Sequence, residues 1–104
     1  MRLFPHPVQF NWDQGNVRKN IAKHQIKNEE AEEVFVNQPI VLVKDKKHSQ
    51  KEARLMILGK TDKKRLLSVI FTQRGKKIRI ISARLMSRKE RRLYEQKTQS
   101  YTQI

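Results

Sequence analysis

Four short runs rich in branched apolar residues follow one another in the second part of the chain. They are IVLV at 40–43, ARLMILG at 53–59, LLSVIFT at 66–72 and IRIISAR at 78–84. Branched and aromatic side chains favour strands. The connections DKKHSQKE, KTDKKR and QRGKK are short enough for hairpins. The pattern therefore predicts an antiparallel meander of about four strands, to which residues 8–12 could add an edge strand.

Helical signals precede these strands. Asp13 is suited to cap a helix over 14–24, and the side chains along one side of that helix are Val17, Ile21 and His24. Asn28 is suited to cap a second helix with an apolar face of Ala31, Val34 and Phe35. With a C-terminal helix, the order of elements predicts an α+β fold. We expect one domain over 1–104, with a core over about 8–97 and a flexible polar tail at 98–104.

The last strand and the helix after it carry many basic residues. Alternation would place Ile78, Ile80, Ser82 and Arg84 on one face of the strand, and Arg79, Ile81 and Ala83 on the other. Ser87 and Glu90 form an S-x-x-E capping box, which predicts that the helix begins at Ser87. The helix sequence RKERRLYEQK offers only Leu93 and Tyr94 as sizeable apolar residues. Such a helix is either loosely docked or available to a partner.

The charge balance indicates a negatively charged partner. Twenty-four Lys and Arg against ten Asp and Glu give a formal net charge of +14. RNA, DNA, an acidic protein or an anionic membrane would suit it, and the membrane is least favoured because no long amphipathic segment is present. The chain has no cysteine and no long apolar run, so we expect a soluble, cytoplasmic protein. Since His6, His24 and His48 lack ligand spacing and there is no glycine-rich phosphate loop, neither a metal nor a nucleotide cofactor is expected.

A basic surface can cleave RNA through attack of the RNA's own 2′-hydroxyl. That reaction needs a proton acceptor, a proton donor and cations that stabilise the developing phosphorane charge. Arg84, at the end of a strand, is the first candidate for the cation, with Arg54, Arg74 and Arg79 as further candidates, although an arginine taken alone is more often simply solvated or ion-paired. His24, Glu90 and Tyr94 could transfer protons. Each also has a structural reading, as a helix-terminal, capping or core residue respectively.

From Phe10 to Tyr94 the chain resembles the BrnT toxins of bacterial type II toxin–antitoxin modules, which belong to the RelE/ParE superfamily. The matching motifs are F-x-W-D from Phe10, K-N-x-x-K-H from Lys19, E-A-x-x-V-F from Glu30, H-S-x-x-E-x-R from His48 followed by I-L-G, and I-R-I-I-S-A-R from Ile78 followed by S-x-x-E-R-x-x-Y from Ser87. The chain departs from the family pattern at Gln25, where glycine is usual, and at Asn28, where an aromatic residue is usual.

The resemblance implies a RelE-like fold and a ribonuclease that blocks translation. It further implies neutralisation by a BrnA-type ribbon-helix-helix antitoxin in a heterotetramer, and RNA as the substrate, either free or on the ribosome. Together with the residue chemistry it gives the catalytic candidates His24, Arg54, Ser82, Arg84, Glu90 and Tyr94. The RNA-binding candidates are Lys23, Arg74, Arg79, Arg88 and Arg91. A non-catalytic module that binds nucleic acid or an antitoxin, and a gyrase-targeting toxin of the same superfamily, are the alternatives.

Overall fold

A computed structural model describes residues 4, 7–44 and 52–99 of the chain. Its elements in chain order are β1 (Gln9–Phe10), α1 (Lys19–His24), α2 (Asn28–Glu33), β2 (Val41–Lys44), β3 (Arg54–Lys60), β4 (Leu66–Arg74), β5 (Lys77–Leu85) and α3 (Arg88–Thr98). The strands form one five-stranded sheet in the order β1-β5-β4-β3-β2. Strands β2 to β5 pair antiparallel in succession, while β1 pairs parallel to β5. The predicted α+β meander is confirmed, with β1 as the added edge strand.

The first face of the sheet carries the main hydrophobic core. Side chains of α2 and the loop before it pack here on the three central strands, and the buried set includes Ile26, Ala31, Val34, Phe35, Ile57, Val69, Phe71 and Ile80. Gly59 of β3 lies so close to α2 that a β-carbon there would come within 2.7 Å of the Val34 Cγ1 atom. The apolar face predicted for the second helix is therefore the face that builds this core.

The second face of the sheet is only partly covered, by α3. Tyr94 is buried and Leu93 is half-buried against Leu58, Met56 and Met86. Ser87 caps the helix as predicted, because its hydroxyl accepts a hydrogen bond from the backbone N–H of Glu90. The side of α3 that faces away from the sheet is exposed and rich in Arg and Lys. The narrow apolar stripe of α3 thus leaves part of this face open.

Helix α1 and the turn before it cover the outer edge of β5 beyond its short pairing with β1. The Asn16 side chain donates to the Ile80 carbonyl, and the Asn20 side chain accepts from the backbone N–H of Ala83. Both asparagines are buried. They satisfy strand groups that would otherwise need another strand.

The expectation that Asp13 caps a helix over 14–24 is wrong. The helix begins only at Lys19, and the residues before it form turns. The Asp13 carboxylate accepts from the backbone N–H of Gly15 and its carbonyl accepts from Val17, so Asp13 starts a turn. Ile21, expected on the packed side, is 51% exposed.

The loop between α1 and α2 contains both departures from the family pattern. Gln25 has φ 56° and ψ 35°, the left-handed conformation that closes many helices, and its N–H bonds back to carbonyls of α1. Asn28 is the first residue of α2 and not its cap. Its amide instead donates to the Val17 carbonyl and ties α2 to the turn before α1. The left-handed helix end is thus formed without glycine.

A β-bulge in β5 overturns the predicted assignment of side chains to its two faces. Ile70 of β4 pairs with Ser82, but the next residue, Phe71, pairs with Ile80, so Ile81 is an extra residue. Side chains of paired residues share a face, and Thr72 pairs with Arg79. Arg79, Ser82 and Arg84 therefore lie on the second face together, whereas strict alternation had separated Arg79 from the other two.

Several predicted features fall partly or wholly outside the described residues. These are His6, most of the connection that contains His48, and residues 100–104 of the tail. Thr98, where the tail was expected to start, is the buried last residue of α3. In the described ranges no helix is long and apolar enough to cross a membrane.

Candidate active site

An open groove of about 410 Å³ lies on the second face, beside the start of α3. We call it the sheet groove, and its lining residues are Lys44, Arg54, Met56, Ile70, Ile81, Ser82 and Arg84. The cross-strand row Met56, Ile70 and Ser82 forms its floor, because these residues are paired neighbours on β3, β4 and β5. Three basic residues surround a mainly apolar floor. The groove is thus suited to an anion that also has an apolar part.

Arg84 is fixed by two hydrogen bonds to one carboxylate. Its Nη1 and Nη2 atoms donate to the two Glu90 oxygens at 2.7 and 2.8 Å, and Nη1 also donates to the Leu85 carbonyl at 3.2 Å. The hydrogen bonds to Glu90 raise the pKa of Arg84, which therefore stays charged. The side chain remains 39% exposed. A guanidinium with a fixed plane and an open side can still contact a phosphate.

Glu90 is held in place by more than Arg84. Its carboxylate accepts from the backbone N–H of Ser87 at 2.8 Å and from the Ser68 hydroxyl at 3.4 Å. The Arg84 hydrogen bonds lower the pKa of Glu90 to about 2, with a further contribution from Ser87. A carboxylate with so low a pKa stays ionised at neutral pH and is a weak base. The geometry therefore makes Glu90 a residue that positions Arg84.

Three further arginines lie at the opposite end of the same face from Arg84. Arg54 pairs through Thr72 with Arg79 in one cross-strand row, and Arg74 ends β4 nearby. Arg79 donates to both Asp13 carboxylate oxygens at 2.9 and 3.0 Å, and Arg74 donates to Glu52 at 3.0 Å. Hydrogen bonds from these arginines lower the pKa of Asp13 and of Glu52. The bulge thus assembles one continuous basic face.

The other predicted site residues do not line the sheet groove. Lys23 and His24 are exposed at the end of α1, and Arg88 and Arg91 are exposed on α3. Tyr94 is buried, and its hydroxyl donates to the Pro39 carbonyl at 2.8 Å. The structure thus gives Tyr94 a packing role, while His24 and the α3 arginines are accessible from solvent.

Two groups at the site were not predicted. Lys44 reaches the groove from the end of β2, and no motif in the sequence marks it. Glu52 lies two residues before Arg54 in the H-S-x-x-E-x-R segment. The motif therefore included Glu52, but nothing about a single glutamate at that position predicted a role at the site. Among the described residues, no three His, Cys, Asp or Glu side chains are grouped so that they could hold a metal ion.

Comparisons with known proteins agree with the fold and the motif order. A family model described as "Ribonuclease toxin, BrnT, of type II toxin-antitoxin system" matches residues 12–90, a range that contains the whole sheet groove. The crystal structure of the Brucella abortus ribonuclease toxin BrnT is similar with a TM-score of 0.56 and 26% sequence identity, over 78% of this chain and 99% of that one. A search of curated proteins finds no match.

Proposed function

The chain belongs to the family of BrnT ribonuclease toxins of type II toxin–antitoxin systems, and we propose that its sheet groove is where RNA is cleaved. A toxin of this class acts on RNA and has an antitoxin as its partner. The proposal for the groove is supported above all by the fixed guanidinium of Arg84 at its edge. Arg54 and Ser82 line the same groove, so two cations and a hydroxyl converge on one space.

The reaction proposed is transesterification within the RNA strand. The 2′-oxygen of one nucleotide bonds to the adjacent phosphorus as the bond from phosphorus to the 5′-oxygen breaks. The products are a 2′,3′-cyclic phosphate and a free 5′-hydroxyl, with one proton lost from the 2′-hydroxyl and one gained by the leaving oxygen. Extra negative charge develops on the non-bridging oxygens in the transition state, and fixed cations there lower the barrier. This chemistry requires neither a metal ion nor a cofactor.

Three groove residues, and His24 outside the groove, have distinct proposed roles. Arg84, which Glu90 orients, contacts the non-bridging oxygens with its open side, and Arg54 neutralises charge from the neighbouring strand. The Ser82 hydroxyl can donate to the same phosphate. His24 is our candidate for proton transfer because it is exposed and Glu90 is a weak base. The RNA would then pass the C-terminal end of α1.

Cleavage of RNA in excess chelator tests this mechanism. We expect the wild type to cut, Arg84→Ala to cut about 10²–10³-fold more slowly, and Arg84→Lys to be intermediate, because lysine keeps the charge but lacks the planar fork. Lys63→Ala is the control, since Lys63 is an exposed cation in the connection between β3 and β4, outside both the groove and α3. Products should carry a cyclic phosphate. Undiminished cleavage by Arg84→Ala, or cleavage that stops on chelation, would contradict the mechanism.

We further propose that this ribonuclease blocks translation in the cytoplasm and is neutralised by a BrnA-type ribbon-helix-helix antitoxin in a heterotetramer. The exposed basic side of α3 is the surface we assign to RNA approach or to the antitoxin. Expression of the toxin alone should arrest growth, and RNA 5′-end mapping should show new ends that co-expression of the neighbouring gene removes. Parallel mapping on purified RNA with and without ribosomes would establish whether the ribosome is required.

A further inference from the structure

Glu52 lies among three arginines at one end of the basic face. We call Arg54, Arg74 and Arg79 the arginine cluster. The Arg74 Nη2 and Nε atoms donate to the two Glu52 carboxylate oxygens at 3.0 and 3.4 Å. Arg74 contributes most to the lowered pKa of Glu52, and the charges of Arg54 and Arg79 lower it further. One carboxylate thus occupies a place where three cations converge.

Stability alone is a weak explanation for this arrangement. The side chains of Arg74 and Glu52 are 50% and 36% exposed, and ion pairs with that exposure contribute little to folding. Glu52 precedes β3 and caps none of the helices in the described part of the chain. Arg79 is only 12% exposed and is ion-paired with Asp13, so its positive charge acts on Glu52 from a largely buried position. The cluster therefore surrounds, with three cations, a carboxylate that is itself partly exposed to solvent.

The arginine cluster is continuous with the sheet groove. Arg54 belongs to both, and the row of Arg54, Thr72 and Arg79 directly follows the row that contains Ser82. At about 3.3 Å per strand residue, the row of Arg84 and the row of Arg79 are roughly 13 Å apart. A single phosphate cannot span that distance. Two phosphates of one extended strand, separated by at least one further phosphate, can.

We propose that the arginine cluster is a second phosphate-binding subsite for the RNA strand, and that Glu52 occupies it until a phosphate takes its place. A strand with its reactive phosphate at Arg84 then places a phosphate further along the same strand against Arg74. The inference rests on the proposed function, because that function makes RNA the ligand. It adds a recognition step in which RNA competes with an internal carboxylate for an arginine fork.

Binding of a single-stranded oligonucleotide without 2′-hydroxyl groups tests the subsite, since such a strand cannot be cut by the proposed reaction. Glu52→Gln removes the competing charge and should bind roughly two- to fivefold more tightly than the matched control, as expected for release of one exposed ion pair. Glu33→Gln is that control. It makes the same charge change on α2, and glutamine keeps the acceptor that Glu33 offers to the backbone N–H of Asp62.

The salt dependence and a double variant distinguish phosphate binding at a specific subsite from a general change in the electrostatic field of the protein. Loss of one phosphate contact should make the slope of log K against log salt shallower by about 0.7 in Arg74→Gln. Arg74→Gln should weaken binding, and Glu52→Gln should gain much less in the Arg74→Gln background. Equal affinity for Glu52→Gln and Glu33→Gln would overturn the subsite, as would an undiminished gain without Arg74. Melting curves check that every variant is folded.

These outcomes are independent of the cleavage assay. If the binding pattern holds while RNA stays intact, the subsite stands and the proposed mechanism fails. If RNA is cut through Arg84 but Glu52→Gln binds like Glu33→Gln, the mechanism stands and the subsite fails. The two proposals can therefore be refuted separately.

Discussion

Replacing Glu90 by glutamine should remove a pH-dependent part of the stability. The substitution deletes the charge that pairs with Arg84, while glutamine can still serve the capping box at Ser87. The Glu90 pKa of about 2, against an ordinary 4.5, corresponds to about 3 kcal/mol. Because Arg84 is 39% exposed, solvent screening reduces the expected contribution to about 1–2 kcal/mol.

The sign follows from the direction of the shift. Folding lowers the pKa of Glu90, so its contribution is fully present above about pH 4.5 and is lost as the pH falls towards 2. Wild type should thus exceed Glu90→Gln by about 1–2 kcal/mol at pH 7, and the two should converge near pH 2. Denaturant unfolding at a series of pH values measures this difference directly.

Glu95→Gln provides the control for Glu90→Gln. Glu95 is an exposed carboxylate on the same helix, so its replacement makes the same chemical change away from Arg84. Its stability difference from wild type should stay near zero across the pH range. A Glu90→Gln difference that does not vary with pH would refute the argument, because the loss would then come from packing or capping and not from the ion pair.

Two further substitutions have simpler consequences. Tyr94→Phe removes the hydrogen bond to the Pro39 carbonyl and should cost about 1 kcal/mol, which thermal melting detects, while RNA cleavage continues at the wild-type rate; loss of cleavage with unchanged stability would instead make Tyr94 catalytic. Gln25→Gly should raise the stability by about 1 kcal/mol, because Gln25 holds φ 56° and only glycine adopts that conformation without strain. Gln25→Ala keeps the β-carbon and should show no such gain in melting temperature.

The strands were predictable because their signal is local. Each run from 40 to 84 combines branched residues with a short polar connection, and antiparallel pairing of neighbours follows from those two facts alone. The bulge at Ile81 was not predictable in the same way. The bulge depends on the pairing register between β4 and β5, and no residue type within IRIISAR indicates that register. A single extra residue then reversed the predicted relation between Arg79 and Arg84.

The helices show where local signals compete. Asp13 has the chemistry of a helix cap, but Gly15 lies close enough for an Asx-type turn, and the turn is what forms. At Ser87 no turn-forming glycine follows the capping residue, and the capping box was predicted correctly. Asn16 and Asn20 read as ordinary polar helix residues, and their role appears only when α1 lies along the edge of β5.

The candidate site was predicted by residue type and not by partner. The sequence identified Arg54, Ser82 and Arg84, which the structure brings to one groove. It could not show that Arg79 and Arg74 are paired, because their partners are distant in the chain: Arg79 and Asp13 are 66 residues apart, and Arg74 and Glu52 are 22 apart. Arg84 and Glu90 are only six residues apart, but Glu90 was already explained as a capping residue.

The two ion pairs at Arg84 and Arg74 look alike but differ in how their carboxylates are held. Glu90 accepts from Ser87 and Ser68 as well as from Arg84, so moving it would also undo the start of α3. Glu52 caps none of the helices that the structure describes, and its arginine is the more exposed of the two. A phosphate should therefore bind beside Glu90 and in place of Glu52. On this argument removal of Glu90 weakens catalysis by loosening Arg84, whereas removal of Glu52 strengthens RNA binding, and the opposite signs distinguish a positioning carboxylate from a competing one.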